Sequence, residues 1–339
     1  MVVSFIVVAY NAEKTLSVLL KDLCKQDYPH EKIEVILVDS ASGDGTKALM
    51  QEFAENDFGF KSVSVLDNPK KTLPCGFNVA LQNYTGDAIV RLDAHTSISA
   101  DFISKNVELL NKGEDVVGGQ VESVLIDDTS LQRTFLLAEN SAFCGGAASF
   151  RRLQECAYVS TMAFALYRRE VYDKVGLYNE NLARTEDNDM SYRVREAGYK
   201  MYFDPSIKTL RFTRSTFKAL MRQKYLNGYW IGKTMGVQPK CFSLFHFVPL
   251  CFVLGIILTT VLTLVGFPYL AYLMWAMYAL AAVGATVLDI RRAEFKWTHL
   301  LLPFVFLTLH ISYGIGTVIG LVEMPFFVKK IKGRGNKKG

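Results

Sequence analysis

The apolar run from Val2 to Ala9 is rich in β-branched residues and ends at Tyr10-Asn11; Leu16, Leu19, Leu20 and Leu23 then follow at helical spacing. Strand, loop and helix are predicted in that order. The alternation repeats at 35–38 with a helix near 46–55, at 63–66 with a helix near 76–84, and at 88–92 with a helix near 101–112. Short apolar strands alternating with helices predict an α/β domain whose mostly parallel sheet is covered on both faces. Ligands of such sheets bind at the carboxyl ends of the strands, which here means Tyr10-Asn11, the loop 39–46 and the loop 93–96.

Beyond Val116 the pattern loosens. Gly118-Gly119 and Gly145-Gly146 read as turns, and the stretch 158–167 reads as strand-like. A helix is predicted over 189–197, stopped by Gly198, followed by a short strand over 200–203 that Asp204-Pro205 closes. Residues 215–233 combine Lys218, Arg222, Lys224 and Lys233 with Phe217, Tyr225, Tyr229 and Trp230. A basic, aromatic helix ahead of an apolar run suits the membrane interface, and an ordinary packing helix is the alternative.

From Cys241 to Leu288 there is no Asp, Glu, Lys or Arg, a charge-free run of 48 residues interrupted only by the turn-like Gly266-Phe267-Pro268. Two spans fit it, at about 243–264 and 268–288. Arg291, Arg292 and Lys296 then fall on the side from which the first span started, as the charge bias of membrane loops expects. A third apolar stretch, 299–328, conflicts with this. Crossing simply, it would carry the six cations of the tail 329–339 to the opposite side, so Pro303, Gly314, Gly316 and Gly320 are read as able to make it re-entrant or in-plane.

Composition adds little to this pattern. The 339 residues carry 38 Lys+Arg against 33 Asp+Glu, and the surplus sits in the tail, where it suits anionic headgroups better than nucleic acid. Half of the residues are apolar, which excludes a disordered chain. The six cysteines show no paired spacing and fit a reducing compartment. Met1 runs directly into an apolar strand with no basic segment before it, so no cleavable signal is expected and the front domain is predicted to be cytoplasmic.

Three acidic elements carry candidate chemistry. Asp39 opens a loop with Gly43 and Gly45 before a helix; it can accept from a base or ribose, or simply build a turn. Asp93 and His95 alternate toward one side at a strand end, where they can hold one divalent ion or stand as plain loop residues. Their mixed oxygen and nitrogen donors suit Mn²⁺ better than Mg²⁺. Glu186, Asp187 and Asp189 crowd the start of a helix behind Thr185, as general base or as capping acids.

In order and spacing, Ala9-Tyr10-Asn11-Ala12-Glu13, Val38-Asp39 through Thr46, Arg91-Leu92-Asp93-Ala94-His95 and Thr185-Glu186-Asp187 resemble family 2 glycosyltransferases. The strings Asn68-Pro69-Lys70 with Asn78, and Tyr167 through Val171 with Gly176, look most like the succinoglycan-type enzymes of bacterial exopolysaccharide synthesis. The resemblance implies a GT-A fold over 1–214, the basic helix region at 215–240, and membrane segments at 241–328. It implies sugar transfer from a nucleotide diphosphate donor, a UDP-sugar in the first instance, with inversion and with a divalent metal. Ala9, Tyr10, Asn11, Glu13 and Asp39 match nucleotide-binding positions, Asp93 with His95 the metal and diphosphate element, Asp187 the base, and Glu186 its support. Where this family usually has a second Asp, the chain has His95.

The expected activity is therefore a multi-pass cell-membrane enzyme extending a lipid-linked glycan through a hydroxyl. The rivals are transfer to a polyprenyl phosphate and a catalytically silent scaffold. Gln223-Lys224-Tyr225 through Trp230 departs from the Gln-x-x-Arg-Trp element of processive synthases, which implies one sugar per encounter.

Overall fold

A computed structural model describes residues 1–144, 153–213 and 216–335; the expected turn at Gly145-Gly146 lies outside them. The chain divides into two units, Met1–Val124 with Ser149–Thr213, and Leu125–Ala148 with Arg214–Gly339.

The first unit is built on a nine-stranded sheet. Its first half follows the predicted alternation: β1 (Val3–Ala9), α1 (Glu13–Leu23), β2 (Ile33–Asp39), α2 (Thr46–Glu55), β3 (Ser62–Asp67), α3 (Leu73–Leu81), β4 (Ala88–Asp93), β5 (Thr96–Ile98) and α4 (Phe102–Asn111). Strands β3, β2, β1 and β4 lie side by side and parallel. All seven residues of both β1 and β2 are buried, because helices cover a parallel sheet on both faces and leave no side to solvent. The α1 stripe of Leu16, Leu19, Leu20 and Leu23 is buried too.

The second half of this unit adds β6 (Val116–Leu125), β7 (Ala157–Val159), β8 (Leu166–Arg168), α6 (Arg169–Val175), α7 (Glu186–Glu196) and β9 (Met201–Thr213). Numbering of the helices leaves α5 for the other unit. Strand β8 is antiparallel to both β4 and β6, and β5 and β7 are antiparallel to β9, so the sheet as a whole is mixed. Two expectations are corrected here. Gly118 and Gly119 are not a turn but lie inside β6, where a Cβ on Gly119 would run into backbone oxygens of Ile207 and Asp204. Close strand approach, not a bend, is what demands glycine there. Likewise Asp204-Pro205 does not end β9. Its neighbours β7 and β5 pair with 201–203 and 209–211, so Pro205 falls between two ladders and its missing N–H costs neither of them.

The second unit is helical: α5 (Ser130–Asn140), α8 (Phe217–Thr234), α9 (Val248–Leu264), α10 (Tyr269–Ile290) and α11 (Leu302–Gly335). Helix α5 starts with a reciprocal cap between Thr129 and Gln132. Phe135 and Ala138 of α5 join Leu220, Ala282, Leu302 and Phe306 in one apolar cluster, so residues 125–144 pack with the apolar C-terminal helices although the sequence reading placed them in the front domain. Helices α8 and α11 meet through glycine: a Cβ on Gly228, Gly232, Gly316 or Gly320 would strike backbone atoms of the facing helix. Three helices, Leu244–Leu264, Tyr269–Ile290 and Trp297–Gly333, are long and apolar enough to cross a membrane.

Candidate active site

The register of the parallel strands brings two of the acidic positions to one edge. Ala9 at the end of β1 pairs with Asp39 of β2, and Val8 pairs with Asp93 of β4. Asp39 and Asp93 therefore flank the last turn of β1 at the carboxyl edge of the sheet, about 10 Å apart by the spacing of alternate strands.

Reciprocal hydrogen bonds tie the loops after β1 and β2 together. Asn11 N–H donates to Ser42 Oγ (3.0 Å), Gly43 N–H to Asn11 Oδ1 (2.8 Å), Ala12 N–H to Thr46 Oγ1 (2.8 Å) and Gly45 N–H to Glu13 Oε2 (3.1 Å). Asn11 and Glu13 thus shape the loop with their side chains. A Cβ on Gly45 would sit 2.6 Å from the Glu13 carboxyl carbon, so a larger residue there would push the Glu13 carboxylate off the loop. Asp39 is buried and accepts from Ser42 N–H through both oxygens (3.3 and 3.2 Å), the turn chemistry that its sequence allowed. Tyr10, by contrast, is 55% exposed and offers a ring beside this loop.

Asp93 and His95 converge: His95 Nε2 lies 3.8 Å from Asp93 Oδ2, with both side chains partly exposed. Helix α7 brings the third acidic element to the same place. Asp187 Oδ1 accepts from Arg91 Nη2, and Arg91 stands two residues before Asp93 on β4. Glu186 is buried, its Oε2 has no hydrogen-bond partner, and burial pushes its carboxyl up to about 8, helped by the neighbouring Asp187. Asp93 contributes to the same shift, which places it near Glu186. Asp189 points elsewhere and pairs with Arg193 (2.9 Å).

Arg91 is the residue that the sequence reading named only as part of a motif string. It is buried, its guanidinium lies over Phe77 (4.6 Å) and Tyr178 (5.0 Å), and only Asp187 balances its charge among the ion pairs formed by the described residues. Burial works against that charge, and the Asp187 carboxylate more than offsets it, holding the guanidinium protonated. Tyr167, Tyr172 and Tyr178 surround it as neutral phenols, kept so by burial. Asn78 clamps Tyr178 by donating to its carbonyl (2.9 Å) and accepting from its N–H (2.8 Å), so the segment leading to α7 is pinned on α3. A signal for Arg91 was present. One cation inside Ala88-Ile89-Val90-Arg91-Leu92, a strand otherwise buried and apolar, requires an anionic partner.

A dolichyl N-acetyl-alpha-D-glucosaminyl phosphate 3-beta-D-2,3-diacetamido-2,3-dideoxy-beta-D-glucuronosyltransferase of Methanococcus voltae is 23% identical, over 95% of this chain and 97% of its own. The succinoglycan biosynthesis protein ExoA of Rhizobium meliloti (strain 1021) is 28% identical over 59% of each chain. Among solved structures, a mannosyltransferase of Pyrobaculum calidifontis in complex with GDP-Man and Mn²⁺ superposes with a TM-score of 0.58 at 19% identity, covering 93% of this chain and 86% of that one. That likeness shows the GT-A fold. The family model "Glycosyl transferase family 2" matches residues 4–176, just over half of the sequence, and the chain is a member of that family of glycosyltransferases.

Proposed function

We propose that the enzyme transfers a sugar, with inversion, from a nucleotide diphosphate donor to a hydroxyl of a lipid-linked glycan at the cytoplasmic face of the cell membrane. The observation that carries this reading is the meeting of Asp187 with the end of β4. The candidate base contacts Arg91, and the candidate diphosphate element, Asp93 and His95, begins two residues further on.

In this reading Tyr10 and the loop 39–46 receive the nucleotide. Asp187 takes the proton of the acceptor hydroxyl as that oxygen attacks the anomeric carbon and the bond to the diphosphate breaks. Arg91 holds the Asp187 carboxylate in place through its hydrogen bond, and Glu186, its carboxyl pushed up to about 8 by burial, adds little negative charge beside it. Asp93 and His95 could hold a divalent ion between them, their oxygen and nitrogen donors lying 3.8 Å apart at the strand end. Bound there, Mn²⁺ or Mg²⁺ would supply neutralisation of the departing diphosphate.

The lipid-linked acceptor rests on the apolar helices and on the relative from Methanococcus voltae, whose name specifies a dolichyl-phosphate-linked sugar as its acceptor. Confinement to the membrane raises the effective concentration of such an acceptor. The departure of Gln223 through Trp230 from the processive element supports single additions. Transfer from UDP-sugars to extracted lipid glycans, followed by mass spectrometry of the lipid product, tests the reading. One added hexose is expected; a sugar linked directly to a polyprenyl phosphate, or a ladder of long products, contradicts it. Asp187→Asn should keep donor affinity and lose transfer, and unchanged turnover would remove the base assignment.

A further inference from the structure

Helices α8 and α11 run in the same direction and touch along most of their length. Phe217 stacks on Phe304 (6.1 Å), Gly232 meets the backbone of Thr317 and Leu321 (2.6 Å from a built Cβ), and Trp230 packs on Phe327 (5.9 Å). Lys233 pairs with Glu323 (3.6 Å). Helices in such register share the same depth in any membrane. An upright α11 would therefore put the exposed Lys218 and Arg222 of α8 in the hydrocarbon layer, where unpaired ammonium and guanidinium groups are strongly disfavoured; Lys224 and Lys233 are bonded within the unit. It would also leave the end of α8 on the far side. Yet α9 begins only fourteen residues later, with Pro249 and Val253 against Gly314, the middle of α11.

The other end of α11 raises the same objection. Helix α5, with Arg133 and Glu139, lies beside it: Thr298 Oγ1 donates to Ser130 O (2.9 Å), and the ring of Phe143 is 5.4 Å from that of Phe306. On α11 itself, Phe304, Ile315, Val322 and Phe326 are all exposed, at separations of eleven, seven and four residues that put them on one stripe. Lys329, Lys330 and Lys332 follow at its end. A flank covered by cation-bearing helices and a basic terminus suit a helix held at an anionic membrane surface.

We propose that α8 and α11 lie side by side in the plane of the membrane interface, that the α9–α10 hairpin alone crosses, and that both chain ends are on one face. This removes the conflict over the tail, because Arg291, Arg292, Lys296 and the terminal lysines then all stay on one side.

The test uses the full chain in sealed vesicles of both orientations, with protease-cleavable tags at the N-terminus, at the C-terminus and within Gly266–Pro268. The two terminal tags should be cut from the same face and the turn tag from the other; terminal tags cut from opposite faces overturn the proposal. Independently, a fluorophore introduced in turn at Ile315, Val322 and Phe326 is read against lipid-borne quenchers at known depths. An in-plane helix gives equal depths, whereas an upright one separates Ile315 from Phe326 by about 16 Å, and such a gradient would also refute the arrangement.

Discussion

Among the described residues each unit buries one cation, and the two are held differently. Arg91 in the sheet unit lies over two adjacent aromatic rings and pairs with Asp187, a carboxylate whose side chain is 42% exposed. Lys224 in the helical unit is also buried, but its Nζ donates to the backbone carbonyl of Cys144 (2.8 Å). The contrast teaches that two equally buried cations can serve different ends, one set against a reachable carboxylate and the other tying two segments together through a backbone carbonyl.

Several substitutions would break or sharpen this contrast. Asp187→Asn should have the largest effect, a fall in turnover of about 10²–10⁴ at unchanged donor affinity, the range for loss of a general base; single-turnover kinetics with a donor-binding titration would check it. Arg91→Met should lower turnover roughly tenfold to a hundredfold, well short of the loss on removing the base itself. Lys224→Met provides the control: it should lower thermal stability by about 1–3 kcal/mol for the orphaned carbonyl, yet leave turnover close to that of the parent chain. A comparable loss of turnover in that variant would erase the distinction.

Glu186 gives a smaller, pH-dependent effect. Its folded-state pKa of about 8 is raised above its ordinary 4.5, so the folded form holds the proton more tightly. The stability tied to that proton is complete below the ordinary value and is lost as pH rises through about 8, at up to ~1.4 kcal/mol per pH unit. Glu186→Gln should flatten this slope in denaturant titrations between pH 5 and pH 8. At the low end of the scale, Gly255→Ala places its methyl 3.5 Å from Met274 Sδ, an ordinary contact, and should leave the melting temperature within error. Gly228→Ala, which strikes the facing backbone of α11, should not be tolerated in that way.

Legibility in the sequence followed the range of the forces involved. The first four strands and their helices were readable because a doubly covered parallel sheet writes itself as short apolar runs alternating with helical stripes. Residues 116–213 were readable only in part, the helix predicted over 189–197 being α7 and the strand predicted from 200 being the start of β9. There β6, β8 and β9 are held by pairing with strands distant in the chain, and Gly118, Gly119 and Pro205 carry local turn chemistry that the pairing overrides. The candidate site was legible as three acidic loops on the basis of family resemblance. That Asn11 and Glu13 spend their side chains on the neighbouring loop was not, since this depends on how two turns meet.

By itself the sequence determined the family, the alternation of the first sheet half, the charge-free run and the positions of the acidic motifs, all of which are properties of residue type and spacing along the chain. Only the tertiary structure decided that Arg91 meets Asp187, that residues 125–144 pack with the apolar helices, and that α8 runs beside α11. The physical reason is that each of these is a contact across a long stretch of chain. Its energy comes from desolvating a charge or from bringing two backbones together over glycine, and neither term exists until the partners have been folded into place.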